Sequence, residues 1–129
     1  MITRPRLHHV SIPRPPGSEA ETRAFYGELL GLQEIPVAKS LQHLKLIWFS
    51  LGGVTELHTF TEEPFEDPSK RHLCLEVDDP EATREKLVAA GYAPWDTTTV
   101  PGRPRFFCHD PFKNWIEFTV IKGNYLELE

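Results

Sequence analysis

The chain carries one pattern twice, and that repetition constrains its fold more than any other feature. Near the start it reads Leu7-His8-His9-Val10-Ser11-Ile12, and in the middle Arg71-His72-Leu73-Cys74-Leu75-Glu76-Val77. Both are extended apolar runs with a histidine near the front. A helical stretch follows each and stops at a glycine, Gly31 or Gly91. Each half then closes on a run that holds an acid, Thr55-Glu56-Leu57-His58 or Trp115-Ile116-Glu117-Phe118. His9 and His72, Gly31 and Gly91, and Glu56 and Glu117 are all separated by nearly the same stretch of chain. A repeat of that length, roughly 60 residues, implies two copies of one supersecondary unit.

The 129 residues amount to one domain, and two units of about 60 residues would each be marginal alone. Hydrophobic content of 40% and charge of 26% suit a soluble globular protein. The net charge of −5 argues against a nucleic-acid surface, which needs a basic stripe that Arg103-Pro104-Arg105 is too short to supply. No apolar run approaches the length needed to cross a bilayer, so no membrane association is expected. Met1-Ile2-Thr3-Arg4-Pro5-Arg6 lacks a signal core, and Cys74 and Cys108 do not suggest a disulfide framework. A cytoplasmic location follows as the expectation.

Twelve prolines mark many short segments with turns. Residues 7–12 read as a strand. Ser18 opens a helix with Glu21 as capping-box partner, Ala24, Phe25, Leu29 and Leu30 form its apolar stripe, and Gly31 ends it. Short strands follow at about 32–38, 44–51 and 54–60, with Gly52-Gly53 turning between the last two. The acidic, proline-containing stretch 62–70 reads as a linker. The pattern restarts with a strand over 72–77. Asp79 and Pro80 open a helix whose apolar face is Ala82, Leu87, Val88 and Ala89, closed by Gly91. Strands at about 93–99, 104–109 and 115–121 complete it. Each half is βαβββ, with module one about 5–62 and module two about 70–122. The connections between the last three strands are too short for helical crossovers, so those strands form an antiparallel meander. The class is α+β: two βαβββ modules forming curved mixed sheets around a cleft, helices outside.

Strand parity sets His9 opposite Val10 and Ile12, and His72 opposite Leu73, Leu75 and Val77. With helices covering the apolar faces, both histidines point into the hollow of a curved sheet, as does Glu117. A charge there is costly unless paired or bound to a cation. Imidazole and carboxylate together suit Zn, Ni, Fe, Mn or Co. The candidate metal ligands are His9, His72 and Glu117, with a fourth from Glu56 or His58. The repeat offset favours Glu56, while a shift of two positions favours His58. Glu56 and Glu117 are the candidate catalytic carboxylates. Trp48, Phe60 and Trp115 are the expected pocket lining for a small apolar or aromatic molecule. His8 reads as structural and His43 as exposed. Cys108-His109 lacks an orienting partner for a nucleophile. Arg14, Arg103 or Arg105 offers a clamp for an anionic substrate.

Four stretches carry a resemblance: His9-Val10-Ser11-Ile12, Phe25-Tyr26-Gly27-Glu28-Leu29-Leu30-Gly31-Leu32, His72 to Asp79, and Asp110-Pro111-Phe112-Lys113-Asn114-Trp115-Ile116-Glu117. Together they resemble the vicinal oxygen chelate superfamily, which holds glyoxalase I, bleomycin-resistance proteins, fosfomycin-resistance transferases and extradiol dioxygenases. The resemblance spans almost the whole chain and implies a single glyoxalase-like domain over 1–129 and a homodimer. It also implies a divalent metal held at positions matching His9, Glu56, His72 and Glu117, or at His9, His72 and Glu117 alone. Pro13 stands where glyoxalase I has an arginine for glutathione, and Thr97, Pro101 and Phe107 stand where the fosfomycin enzymes have phosphonate ligands. Two functions remain. One is a small metalloenzyme (lyase, isomerase or dioxygenase) that chelates adjacent oxygens of its substrate. The other is a protein that sequesters an antibiotic-like molecule between aromatic side chains.

Overall fold

The histidine-led strands sit at the ends of two separate sheets, and everything else in each half is arranged around them. The computed structural model describes residues 4–63 and 69–128. The central part of the expected linker, residues 64–68, lies outside that range. The chain divides into two units, Met1–Glu66 and Asp67–Glu129.

In the first unit the elements run β1 (His9–Arg14), α1 (Glu19–Thr22), β2 (Glu34–Ile35), β3 (Ile47–Ser50) and β4 (Glu56–Thr61). The sheet order is β1-β4-β3-β2, with β1 parallel to β4 and the rest antiparallel. This is the βαβββ order that the connection lengths predict. Beyond α1 the helix continues over Arg23–Leu29 with the wider winding of a π-helix, and it ends at Gly31 (φ +76°). It buries Phe25 and Tyr26. Ala24 is exposed, so the stripe is narrower than the sequence suggests and shifted onto Tyr26. The capping box does not form. The Ser18 hydroxyl instead donates to the Pro15 carbonyl at 2.5 Å, and the first turn is secured by Thr22 donating to the Ser18 carbonyl at 2.7 Å. The expected strand over 32–38 shrinks to Glu34–Ile35 because Pro36 has no N–H to donate. A 3-10 helix, Lys39–Leu44, occupies the approach to β3 and carries His43 at the surface.

The second unit runs β5 (His72–Glu76), α2 (Pro80–Ala89), β6 (Arg105–His109), β7 (Trp115–Thr119) and a short α3 (Tyr125–Leu128). Its sheet order is β5-β7-β6, with β5 parallel to β7. The expected strand at 93–99 is replaced by one bridge. Trp95 exchanges both backbone bonds with Phe107 (2.8 and 2.9 Å), and pairing goes no further because Pro94 lacks a donor. Helix α2 begins as its sequence predicts. The Asp79 carboxylate accepts from the Ala82 N–H at 3.2 Å, with Pro80 in the first turn. Its apolar face is smaller than expected: Leu87 is buried, Ala82, Val88 and Ala89 are exposed, and Arg84 lays its guanidinium over Phe106 at 4.6 Å.

One face of each sheet is the core. In the first unit it is built from Ile47, Phe49 and Leu57 under Phe25 and Tyr26. In the second it is Phe106, Cys108, Ile116 and Phe118 under Leu87. Alternation along the strands leaves His9, Glu56, His58 and Trp48, and likewise His72, Glu117 and Phe107, on the other face. No helix among the described residues is long and apolar enough to cross a membrane.

Candidate histidine–carboxylate sites

In the first unit, β4 lies between β1 and β3, so its outward side chains meet neighbours from both. His9 is in register with Glu56, and Ser11 with His58. Trp48 on β3 faces His58. The His58 ring is stacked on the Trp48 indole (3.9 Å, 4° between planes) and on the His9 imidazole (4.0 Å, 15°). Only 9% of His58 is exposed. Its Nε2 meets Glu56 Oε1 at 2.9 Å, and since an ionised carboxylate can only accept, Nε2–H donates. That bond is the main cause holding the Glu56 carboxyl below its ordinary range. His9 contacts the Nδ1 of His8 at 2.9 Å through its own Nδ1, which requires that one of the two donate. His9 is held below the usual histidine value, first by desolvation and then by the neighbouring His58 and His8, with Glu56 opposing. His8 is thus exposed and bonded to His9. Phe60 continues the same face two positions beyond His58.

In the second unit the geometry is sharper. His72 Nδ1 lies 3.1 Å from the Lys70 carbonyl, which can only accept, so Nδ1 carries the proton and donates. The other ring nitrogen, Nε2, lies 3.2 Å from Glu117 Oε1. A neutral imidazole held this way turns a lone pair toward a carboxylate, and two such acceptors need a cation between them, either a proton or a metal ion. Two donors each about 2.1 Å from one ion sit roughly 3.0–3.4 Å apart at tetrahedral or octahedral angles. The Nε2–Oε1 separation falls inside that interval. A backbone carbonyl fixing the far nitrogen is also the usual way a ligating histidine is oriented. The donor set therefore suits a divalent ion, although among the described residues no three His, Cys, Asp or Glu side chains are gathered as a ligand group.

Glu117 has a second partner that sequence reasoning left unassigned. Arg105 on β6 donates from Nη1 to Glu117 Oε2 at 3.2 Å, and its Nε and Nη2 both donate to the Thr98 carbonyl (3.2 and 2.9 Å). The signal for this pair was strand parity: Arg105 shares a face with Phe107, which is in register with Glu117. Phe107 turns its ring edge-on to His72 at 4.9 Å. Beside it, Trp95, His109 and Trp115 form an aromatic cluster with centroids 4.7–5.9 Å apart. Trp115 thus belongs to the second unit's face, and Trp48 and Phe60 to the first.

The remaining candidates fall away from these faces. Arg14 is no surface clamp. It is 1% exposed on the helix side, donating to Thr59 Oγ1 at 3.0 Å, to the Lys45 carbonyl and to Ser18 Oγ at 3.4 Å. Arg103 lies over Tyr125. Cys108 is buried on the core face while His109 points the other way, so they form no thiol–imidazole pair. Burial pushes the Cys108 thiol up to about 11. Cys74, in register with Glu117, is exposed, yet surrounding protein and the Glu117 charge push its thiol up to about 11 as well.

Strand pairing also relates the halves more closely than sequence spacing does. His9 pairs with Glu56 where His72 pairs with Trp115, and Ser11 with His58 where Cys74 pairs with Glu117. Across the hairpins, Trp48 faces His58 as Phe107 faces Glu117. By register His58 matches Glu117, and Glu56 matches Trp115.

Comparison with known proteins agrees with this architecture. No curated protein matches the chain. Among solved structures, a protein from Bacillus anthracis assigned to the glyoxalase family superposes with a TM-score of 0.85 at 33% identity, covering 95% of this chain and 99% of that one. TnmS3, an antibiotic binding protein from Streptomyces sp. CB03234, shares the fold (TM-score 0.73, 21% identity, 94% and 99% covered). So does lactoylglutathione lyase from Agrobacterium tumefaciens (TM-score 0.68, 18% identity, 94% and 97% covered). The family model for the Glyoxalase/Bleomycin resistance protein/Dioxygenase superfamily matches residues 6–118, and the chain belongs to that superfamily.

Proposed function

We propose that the protein is a metal-dependent enzyme of the glyoxalase/dioxygenase type acting on a small molecule with two adjacent oxygens. The observation that carries this reading is His72, whose Nδ1–H on the Lys70 carbonyl directs Nε2 at Glu117 Oε1 across 3.2 Å. The proposed donors are His72 and Glu117, with His9 and either His58 or Glu56 as their counterparts in the other half. The pairing register supports His58. A divalent ion, when bound, would act as a Lewis acid on the substrate oxygens. In the first unit Glu56, ionised and bonded to His58, would accept a proton on its other oxygen from a substrate bound at that face, while the His58 N–H keeps the carboxyl in place. Trp48 and Phe60 on the first unit's face, and Trp115 on the second unit's, each offer flat apolar surface to a molecule bound at their own face. We further propose that the working form is a homodimer, as the family resemblance implies.

The test is metal content by mass spectrometry on protein prepared without a histidine tag, followed by Co(II) titration. Bound or titratable metal that disappears in Glu117→Gln supports the reading. Metal-free protein that takes up none of Zn, Ni, Mn, Fe(II) or Co(II) removes it. A second reading, a non-catalytic binding protein for a planar small molecule, is favoured by the Trp48–His58–His9 stack and by the antibiotic-binding structural neighbour. His72→Ala separates the two: loss of metal with ligand binding retained supports the second.

A further inference from the structure

We propose that Arg105 is a positioning residue that holds down the divalent-cation affinity of Glu117. This deepens the metal reading above and rests on it. One oxygen of Glu117 faces His72 and the other accepts from Arg105, so a single oxygen is left to share with an ion. The carboxylate can serve as a one-oxygen ligand but not as a chelate. The guanidinium also draws negative charge away from that oxygen. Both side chains are largely sheltered, 14% exposed for Glu117 and 21% for Arg105, so water screens their interaction poorly.

Arg105 is not free to swing aside. Two of its nitrogens hold the Thr98 carbonyl, and the group lies 5.9 Å over the Phe107 ring. Nor is the arrangement a general property of the repeat. Ile47 pairs with Thr59 as Phe106 pairs with Phe118, so the residue matching Arg105 in the first half is Leu46. The first half thus has an uncharged side chain at the position from which Arg105 reaches Glu117 in the second. His72 and Glu117, with Arg105 behind the carboxylate, would neutralise a divalent ion less fully, which would leave it a stronger Lewis acid and more loosely held.

The experiment measures Co(II) and Zn(II) affinity at fixed pH and salt by competition with a chromophoric chelator, with Co(II) absorption as a second readout. It uses full-length wild type, Arg105→Gln and Arg105→Lys, each checked by thermal melting. Arg105→Gln keeps a donor to Oε2 without the charge and is expected to bind at least tenfold more tightly. Arg105→Lys keeps the charge and is expected within about threefold of wild type. If Arg105 only orients Glu117, Arg105→Gln, which keeps a donor and loses only the charge, binds no tighter than wild type. That result overturns the inference while wild-type binding leaves the metal reading standing. If neither wild type nor Arg105→Gln binds either ion, both fall together. Should Arg105→Gln fold poorly, Arg105→Met removes the charge and the donor together: binding tighter than wild type supports the inference, and equal or weaker binding overturns it.

Discussion

Replacing Asp110 with alanine removes the acceptor on which the β6–β7 turn is built. Its Oδ1 accepts from the Phe112 and Asn114 backbone N–H groups, both at 2.8 Å, and its Oδ2 from the Asn114 side-chain amide at 2.8 Å. All three residues are buried, none more than 6% exposed. Between them Lys113 adopts φ +68°, a left-handed conformation that the surrounding bonds must sustain. Hydrogen bonds to a charged acceptor contribute about 1.5–3 kcal/mol each and are not additive, and each buried N–H left unpaired costs about 1–3 kcal/mol. Some relief comes from water entering at the turn tip, so Asp110→Ala should lose about 3 kcal/mol. At a urea m-value of about 2 kcal/mol/M this moves the unfolding midpoint by about 1.5 M. Asp110→Asn keeps one acceptor and should lose about half as much. The assay is urea unfolding followed by tryptophan fluorescence, which Trp95 and Trp115 report from within this unit. A midpoint shift below about 0.5 M for Asp110→Ala would show that the turn does not depend on these bonds.

Arg14→Met should destabilise by about 3–5 kcal/mol, because it leaves Thr59, Ser18 and the Lys45 carbonyl without their buried donor. A melting temperature lowered by roughly 10–15 °C checks it, and a change under about 3 °C contradicts it. The thiols predict an alkaline weakness. An unfolded cysteine loses its proton near pH 8.5, whereas Cys108 holds it to about 11. Between those values the unfolded chain binds fewer protons, so stability is complete below the lower value and falls as pH rises toward the upper. Denaturation at a series of pH values should show this fall, and Cys108→Ala should flatten it. In native protein at mildly alkaline pH, Cys108 should react with a disulfide reagent far more slowly than in denaturant.

The βαβββ order, the outward facing of His9 and His72, and the Asp79 cap were all legible, because each depends on short-range rules. Alternation decides a face, and a carboxylate three positions before a free N–H makes a cap. What escaped the sequence depended on partners far along the chain. Sequence spacing matched Glu56 to Glu117, but pairing matches His58 to it, because the hairpin partners Trp48–His58 and Phe107–Glu117 lie closer together along the chain than the two histidine strands do. The difference is taken up between the first strand and the meander, where nothing in the residue pattern fixes it. Arg14 looked like a surface charge and proved to be a buried one, because its four partners come from three separate segments. Ser18 has the residue type of a cap, but its hydroxyl is claimed by Pro15.

The parallel pairing of each histidine strand with the last strand of its unit has a consequence for how the protein is made. His9 meets Glu56, and His72 meets Trp115, across almost the full length of each unit. During synthesis β1 emerges first and must wait, without a neighbour, until nearly its whole unit has left the ribosome. Closing such long loops is slow compared with forming the local β3–β4 and β6–β7 hairpins. The hairpins should therefore assemble early, and His9 and His72 should take their places beside β4 and β7 only in the last step of maturation.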